Sequence, residues 1–234
     1  MSRLVLRNCL LMSLLITGSG VSMAQIQADS LVKRVKNKLA SVSDYQGEGT
    51  MKTEVSFMKV PESKVTVYYK KPDKFRIKKE NGISIVPKGG VNINIGALFM
   101  GDNYTAVAAG KGSVDGNPVE IIKLLPLDEK NQVVVSTLYI NEKEALVQKA
   151  TVSTRDNGTY ELEMNYGKFA GWGLPDKVIF TFTTKDYKLP KGLAFDYDTG
   201  EKPKNPVADA SQKGKVEIRY SNYLINKGLA DNLF

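Results

Sequence analysis

Apolar residues recur every three or four positions near the start of the chain and predict an amphipathic helix over residues 27–39. Lysine and arginine side chains surround the apolar stripe, which is narrow and has no aromatic residue. We therefore expect the helix to pack on a protein core, with a membrane surface as the alternative. The stripe consists of Leu31, Val32, Val35 and Leu39.

From Tyr45 onward the apolar positions alternate with polar ones, which predicts antiparallel strands joined by short turns. The 71–73 stretch, Lys-Pro-Asp, predicts a turn because proline offers no donor to a strand ladder, and Asn157-Gly158 is a hairpin signal. The predicted strands span 48–58, 64–70, 74–79, 83–86, 91–95, 104–109, 133–141, 146–156, 159–166, 177–184 and 215–224.

A different pattern occupies residues 117–126. Asn117-Pro118 resembles a helix start with proline at the first position, and Pro126 is a stop. Between them five of the residues are aliphatic, so the stretch predicts a short buried helix packed against the sheet. These residues are Val119, Ile121, Ile122, Leu124 and Leu125.

Together the elements predict an α+β fold with about ten strands and two or three helices. A sheet with so many strands curls, so we expect a strongly curved, open half-barrel of antiparallel strands with helices covering its concave apolar face. Such a curved sheet holds either a packed core or a cavity, and the pattern does not separate the two.

The first two dozen residues have the pattern of a secretory signal peptide. Arg3 and Arg7 precede a short apolar run, and small residues at Ser22 and Ala24 suit a cleavage site after Ala24. We expect residues 1–24 to be removed and residues 25–234 to form a single soluble domain in the periplasm. The sequence has one cysteine, Cys9, which lies before the apolar run, where a lipid-anchor cysteine would not stand.

Composition leaves little for catalysis. There is no histidine, and Cys9 is lost with the leader, so neither a Ser-His-Asp triad nor a thiol nucleophile is available. Glu161 and Glu163 share a strand face, which we interpret as solvated, although a hydrolase relying on Asp and Glu alone stays an alternative. The Asp-Tyr-Asp triplet at 196–198 lacks the ligand spacing of a calcium loop. We expect no enzyme, no cofactor and no metal.

Residues 68–82 contain six Lys or Arg in fifteen positions. Alternation places Tyr69, Phe75 and Ile77 on one strand face and most of the basic side chains on the other. Binders of single-stranded nucleic acid need aromatic rings among the basic groups, so nucleic acid is disfavoured. The formal net charge of +8 favours an acidic partner or an anionic membrane surface.

The stretch 68–76, YYKKPDKFR, resembles the basic-Pro-x-x-Phe-Arg signature of the LolA-like periplasmic lipoprotein carriers. Other blocks follow in the family's order: a glycine-containing first strand at 45–49, a block from 138 to 168, GLPDKV at 173–178 and a closing strand at 214–226. The resemblance covers most of the chain after the leader.

The resemblance implies a half-barrel fold and a monomeric carrier that shields acyl chains of lipoproteins, or another lipid, and shuttles them from the inner to the outer membrane. It implies an inner-membrane lipoprotein-releasing complex and an outer-membrane receptor as partners. A lipid- or lipoprotein-sensing regulatory domain of the same fold is the alternative. The family's carriers commonly have arginine where this chain has Lys71. Lys71 and Arg76 are the candidate lid or partner contacts, and the 185–213 segment is extra to a minimal carrier.

A carrier needs an apolar lining that flexible aliphatic and methionine side chains supply well. We take the candidates from inward-facing strand positions and from the predicted buried helix. The candidate lipid-binding residues are Val55, Phe57, Val67, Tyr69, Phe75, Ile77, Leu125, Leu162, Met164 and Ile179.

Overall fold

The computed structural model describes residues 23–55, 58–59, 61–80, 95–99, 101, 103–156, 158–183 and 213–234. Most of the predicted leader, the predicted strand at 83–86, most of the one at 91–95, and nearly all of the 185–213 segment lie outside these ranges. Phe57 lies outside them as well.

The predicted first helix is α1, Met23–Ala40. Its apolar stripe faces the sheet: Leu31, Val32 and Val35 are buried and Leu39 is partly buried, while Lys33 and Arg34 are exposed. The stripe therefore packs on the protein core, as the pattern indicated.

Eleven strands form a single sheet in the described residues. Their bounds are β1 Asp44–Val55, β2 Met58–Lys59, β3 Ser63–Lys70, β4 Lys74–Lys79, β5 Tyr104–Val114, β6 Asn117–Pro126, β7 Val133–Asn141, β8 Leu146–Thr154, β9 Thr159–Asn165, β10 Lys177–Thr183 and β11 Lys213–Ile225. Short 3-10 helices occur at Ile95–Phe99, Ala170–Trp172 and Asp231–Leu233.

The sheet is antiparallel and follows the order β4-β3-β1-β11-β10-β9-β8-β7-β6-β5, with the short β2 paired to β1 beside this path. The chain runs through β5 to β11 as a meander, and β11 then pairs with β1. In the described part of the chain, the end strands β4 and β5 do not pair with each other, so the sheet stays open. The predicted open half-barrel of about ten antiparallel strands is confirmed.

The helix predicted at 117–126 is wrong, because these residues form strand β6. Asp115 and Gly116 both have positive φ (49° and 79°) and connect β5 to β6 as a tight hairpin. From Ile122 onward burial alternates: Ile122 and Leu124 are buried, whereas Lys123 and Leu125 are exposed. Pairing with β5 and β7 on both sides outweighs the proline signal.

A second covering element exists, but it is not the one predicted. In the described residues there is one α-helix, and the 3-10 turn Ile95–Phe99 buries Ile95, Leu98 and Phe99 in the same core cluster as α1. We call the sheet face that α1 and this turn cover the inner face, and the opposite one the outer face.

Candidate functional site

The inner face is the candidate site, because most of the predicted lining residues meet there. Val55, Val67, Leu162 and Met164 are buried in the core cluster, and the cluster includes the apolar stripe of α1. The partly buried side chains of Tyr69, Phe75 and Ile77 pack against this cluster and extend the apolar surface to the edge strand β4. In the strand register, Tyr69 of β3 lies opposite Phe75 of β4, and Val67 lies opposite Ile77.

Two predicted lining residues lie on the outer face. Ile179 pairs with Glu163 and Glu217, because Val178 and Phe180 on either side of it point inward. Leu125 is 42% exposed, because it sits on an alternating strand and not on a buried helix. Neither side chain can line the inner face in this arrangement.

The chain's own side chains fill the space over the inner face. Val32 and Leu98 are each 1% exposed and Val67 is fully buried, so helix, turn and sheet are in close contact. A small crevice, without room for a water molecule, lies between α1 and the start of β8. It is lined by Val35, Lys38, Leu39, Ile95, Ala145, Leu146, Val147, Tyr166 and Gly173. Of the two alternatives, the described residues form a packed core.

Polar contacts hold α1 over the sheet at its rim. Arg34 donates to the backbone carbonyl of Glu142 (2.8 Å), and Lys36 donates to that of Gly101 (2.8 Å). At the other end, Gln25 donates to the carbonyl of Ala106 on the edge strand β5. Most of these groups are exposed, so each hydrogen bond adds little net stability, about 0.5–1.5 kcal/mol. Burial of the apolar stripe therefore holds α1 on the sheet, and the hydrogen bonds at its edge add little.

Lys71 makes another such contact with α1. Its Nζ lies 2.6 Å from the carbonyl oxygen of Ala40, the last residue of α1. A cation at this end of a helix satisfies a carbonyl that has no partner within the helix and interacts favourably with the helix dipole. The hairpin between β3 and β4 thus touches the C-terminal end of α1 directly.

Aromatic rings pack together at the end of the inner face formed by β1, β3 and β11. Ring centroids of Tyr45 and Tyr69 are 5.3 Å apart, and those of Tyr220 and Tyr223 are 4.7 Å apart. The Tyr223 hydroxyl donates to the carbonyl of Pro175 (2.8 Å). Burial raises the pKa of Tyr45, Tyr220 and Tyr223, so these hydroxyls stay neutral and structural.

The outer face carries the charges. Glu161 forms an ion pair with Lys149 (3.3 Å), and Arg219 pairs with Glu217, which fits a solvated strand face. In the described residues there is no group of three or more His, Cys, Asp or Glu side chains placed to hold a metal ion. Nor does any helix in these ranges have the length and apolar character needed to cross a bilayer.

Sequence reasoning missed how the basic stretch is covered. A segment that we call the strap, residues 226–234, crosses the outer face of β3 and β4. Lys70 and Lys74 form ion pairs with Asp231 (2.8 and 3.1 Å), and Arg76 donates to the carbonyl of Leu233 (2.9 Å). Asp231 is a single acidic residue far along the chain, so no local pattern could have indicated this contact.

No protein-family model matches the sequence, and no curated protein matches it. Solved structures do match in fold. A DUF1329 family protein from Desulfovibrio piger has a TM-score of 0.55 at 13% identity, over 91% of this chain and 98% of that one. A domain assigned to outer-membrane lipoprotein sorting, from Vibrio parahaemolyticus, has a TM-score of 0.55 at 10% identity, over 89% and 96%. A LolA superfamily protein from Nitrosomonas europaea has a TM-score of 0.50 at 10% identity, over 88% and 96%.

Proposed function

Because the chain has the LolA-like fold, we propose that it binds a lipid acyl chain on its inner face and carries lipoproteins, or another lipid, between the inner and the outer membrane. The observation that carries this proposal is how little of the chain covers the apolar sheet face. In the described residues one helix and one short turn bury that face, and the sheet does not close on itself.

The free energy gained by burying an acyl chain is comparable to the free energy needed to lift α1 from the sheet. An acyl chain of about sixteen carbons gains about 12 kcal/mol on leaving water. Lifting α1 exposes chiefly Leu31, Val32 and Val35, at about 1.5–3 kcal/mol each, or about 5–9 kcal/mol in sum. An acyl chain that takes the place of the helix stripe therefore offsets the cost of opening.

Opening is required for binding. Ligand pockets for molecules of drug size have volumes of about 300–1,000 Å³. The crevice beside Val35 and Leu39, between α1 and the start of β8, has no room for even a water molecule. We propose that α1 first moves away from the sheet and that the acyl chain then enters along this crevice.

Location and partners belong to the same proposal. Residues 25–234 would be exported as one domain and work in the periplasm, where an acyl chain cannot cross water unaided. An inner-membrane releasing complex would load the carrier and an outer-membrane receptor would unload it, as the resemblance implies. We propose no catalytic step, since carriage needs only binding and release.

The first test is to purify the protein from its native host, extract it with organic solvent and determine the bound lipid by mass spectrometry. We expect about one lipid per chain. An empty extract, together with no uptake of a fluorescent fatty acid in vitro, would contradict the proposal. Depleting the protein separates a carrier from a sensor: lipoproteins accumulate at the inner membrane if it is a carrier, and only a stress response changes if it is a sensor.

A matched pair of variants locates the site. Ile77 and Ile179 are both partly buried, but Ile77 lies on the inner face and Ile179 on the outer face. We expect Ile77→Asn to weaken binding of a fluorescent fatty acid about five-fold, since a buried amide without a partner opposes an apolar ligand. Ile179→Asn should leave binding unchanged. Equal effects would place the lipid elsewhere.

A further inference from the structure

The strap binds the β3–β4 hairpin in the way that one peptide binds another. Lys70 donates to the carbonyl of Leu229 (2.6 Å) and Arg76 to that of Leu233 (2.9 Å), so two cations recognise backbone groups. Lys70 and Lys74 share the carboxylate of Asp231. Lys74 Nζ also lies 5.9 Å from the centroid of the Phe234 ring, within cation–π range.

The two ends of the strap are held differently. At its start, the backbone N–H groups of Lys227 and Gly228 donate to the buried carboxylate of Asp44 (3.0–3.2 Å). At its far end, Asp231 is exposed and its ion pairs are open to solvent. Exposed ion pairs contribute little to stability. The far end can therefore be displaced while the start stays anchored.

Charge on this surface exceeds what the strap supplies. Five basic side chains alternate onto the outer face of β3 and β4. Within the described ranges, Asp231 is the one carboxylate at ion-pair distance from any of them, and Asp44 is engaged by backbone N–H groups. The five are Lys64, Lys70, Lys74, Arg76 and Lys78.

We propose that the outer face of the β3–β4 hairpin is a docking surface for an acidic extended segment of a partner protein, and that residues 229–234 occupy it as an internal competitor. A partner segment with two or more carboxylates matches the surplus of basic groups better than the single Asp231. Recognition of backbone carbonyls favours a polypeptide over an anionic membrane. This surface lies opposite the inner face, so the inference does not depend on lipid binding.

The test uses the full chain and a rhodamine-labelled peptide with the sequence of residues 226–234 carrying Asn232→Asp. Fluorescence anisotropy at low salt measures its affinity for the wild type and for Asp231→Asn. We expect the variant to bind the peptide about three- to ten-fold tighter, because two exposed ion pairs no longer compete. Adding Lys70→Ala and Lys74→Ala should abolish that binding. Salt at about 0.5 M should weaken it, since the charges are exposed.

Asp73→Asn is the matched control, since it removes one carboxylate from the exposed hairpin turn, outside the contacts of the strap. It should bind like the wild type. Circular dichroism checks folding, and Asp231→Ser repeats the test. If both variants unfold, NMR of the wild type should show the amides of residues 231–234 shifting on peptide addition. Equal peptide affinity of wild type and Asp231→Asn overturns the proposal. So does a gain of binding only to anionic phosphatidylglycerol vesicles.

Discussion

At the scale of single residues, Gly49 of β1 decides how β1 and β11 fit together. The register slips between Glu48 and Gly49, where Ser221 of β11 is the extra residue. A Cβ on Gly49 would lie 2.1 Å from the carbonyl oxygen of Arg219. The bulge also shifts the alternation, so that Tyr220 and Tyr223 both face inward and stack.

Gly49→Ala should therefore be strongly destabilising, by about 2–4 kcal/mol, because a backbone atom must move to admit the methyl group. Urea unfolding measures the change. Gly171→Ala is the control, since a Cβ there meets no atom within 4 Å, and it should stay within about 0.5 kcal/mol of the wild type. A stable Gly49→Ala protein would show that β1 and β11 can separate locally.

Lys71 decides how firmly the C-terminal end of α1 is held. Lys71→Ala removes the hydrogen bond to Ala40 and the favourable charge at the helix end, so the cover should open more often. We expect a fluorescent fatty acid to bind about two- to five-fold faster, as measured by stopped flow. Lys71→Arg should retain most of the wild-type rate.

Lys78→Ala serves as the control for Lys71→Ala, because Lys78 is an exposed lysine on the outer face of β4. If Lys78→Ala accelerates uptake as much as Lys71→Ala does, net charge and not the helix contact controls the rate.

At the scale of elements, α1 is attached by its apolar stripe and not by long-range strand pairing. A strand such as β1 has neighbours on both sides, whereas α1 contacts the rest through side chains. Local openings of a protein span a range of free energies. We expect α1, which has no strand pairing, to open at a lower free energy than the central strands.

Leu31→Ala should loosen α1 selectively. Leu31 is buried, and such a truncation costs about 2–5 kcal/mol. We expect amide hydrogen exchange to rise throughout α1 while β9 and β10 keep their protection. Lys33→Ala, on the exposed side of the helix, should change neither. Uniform loss of protection in helix and sheet would mean that α1 does not open as a separate unit.

At the scale of the whole molecule, buried tyrosines make the stability of the fold depend on pH in the alkaline range. Burial raises the pKa of Tyr160 to about 12, and it also raises the pKa of Tyr45, Tyr166, Tyr220 and Tyr223. An unfolded tyrosine ionises near pH 10. The folded state keeps protons that the unfolded state releases above that pH, so stability is fully present below pH 10 and falls as the pH rises.

Tyr160 alone should contribute about 2–3 kcal/mol to this loss by about pH 12. We expect tyrosinate absorbance to rise in two steps: exposed tyrosines first, then the buried ones together with the loss of circular dichroism. Tyr160→Phe should shift the second step to higher pH. A single smooth titration with the fold intact would show that these hydroxyls reach water.

Local pattern accounted for much of the candidate site. Alternation placed Tyr69, Phe75 and Ile77 on one face, because each has a basic neighbour that marks the phase. It failed at Ile179, since Val178 and Phe180 are apolar too and nothing in the run shows which side points inward. The prediction for Leu125 was wrong because the Asp115-Gly116 turn makes residues 117–126 a hairpin strand, whereas the two prolines are typical of helix ends.

The sequence by itself determined the helix stripe, most strands and the open antiparallel architecture, because these follow from side-chain periods of 3.6 and 2 within a few residues. Tertiary structure alone decided what covers each face. The inner face is filled by α1 and by Ile95–Phe99, and the basic hairpin is met by Asp231, 161 positions from Lys70. Contacts between such distant positions depend on how the sheet folds back, and no local period records them.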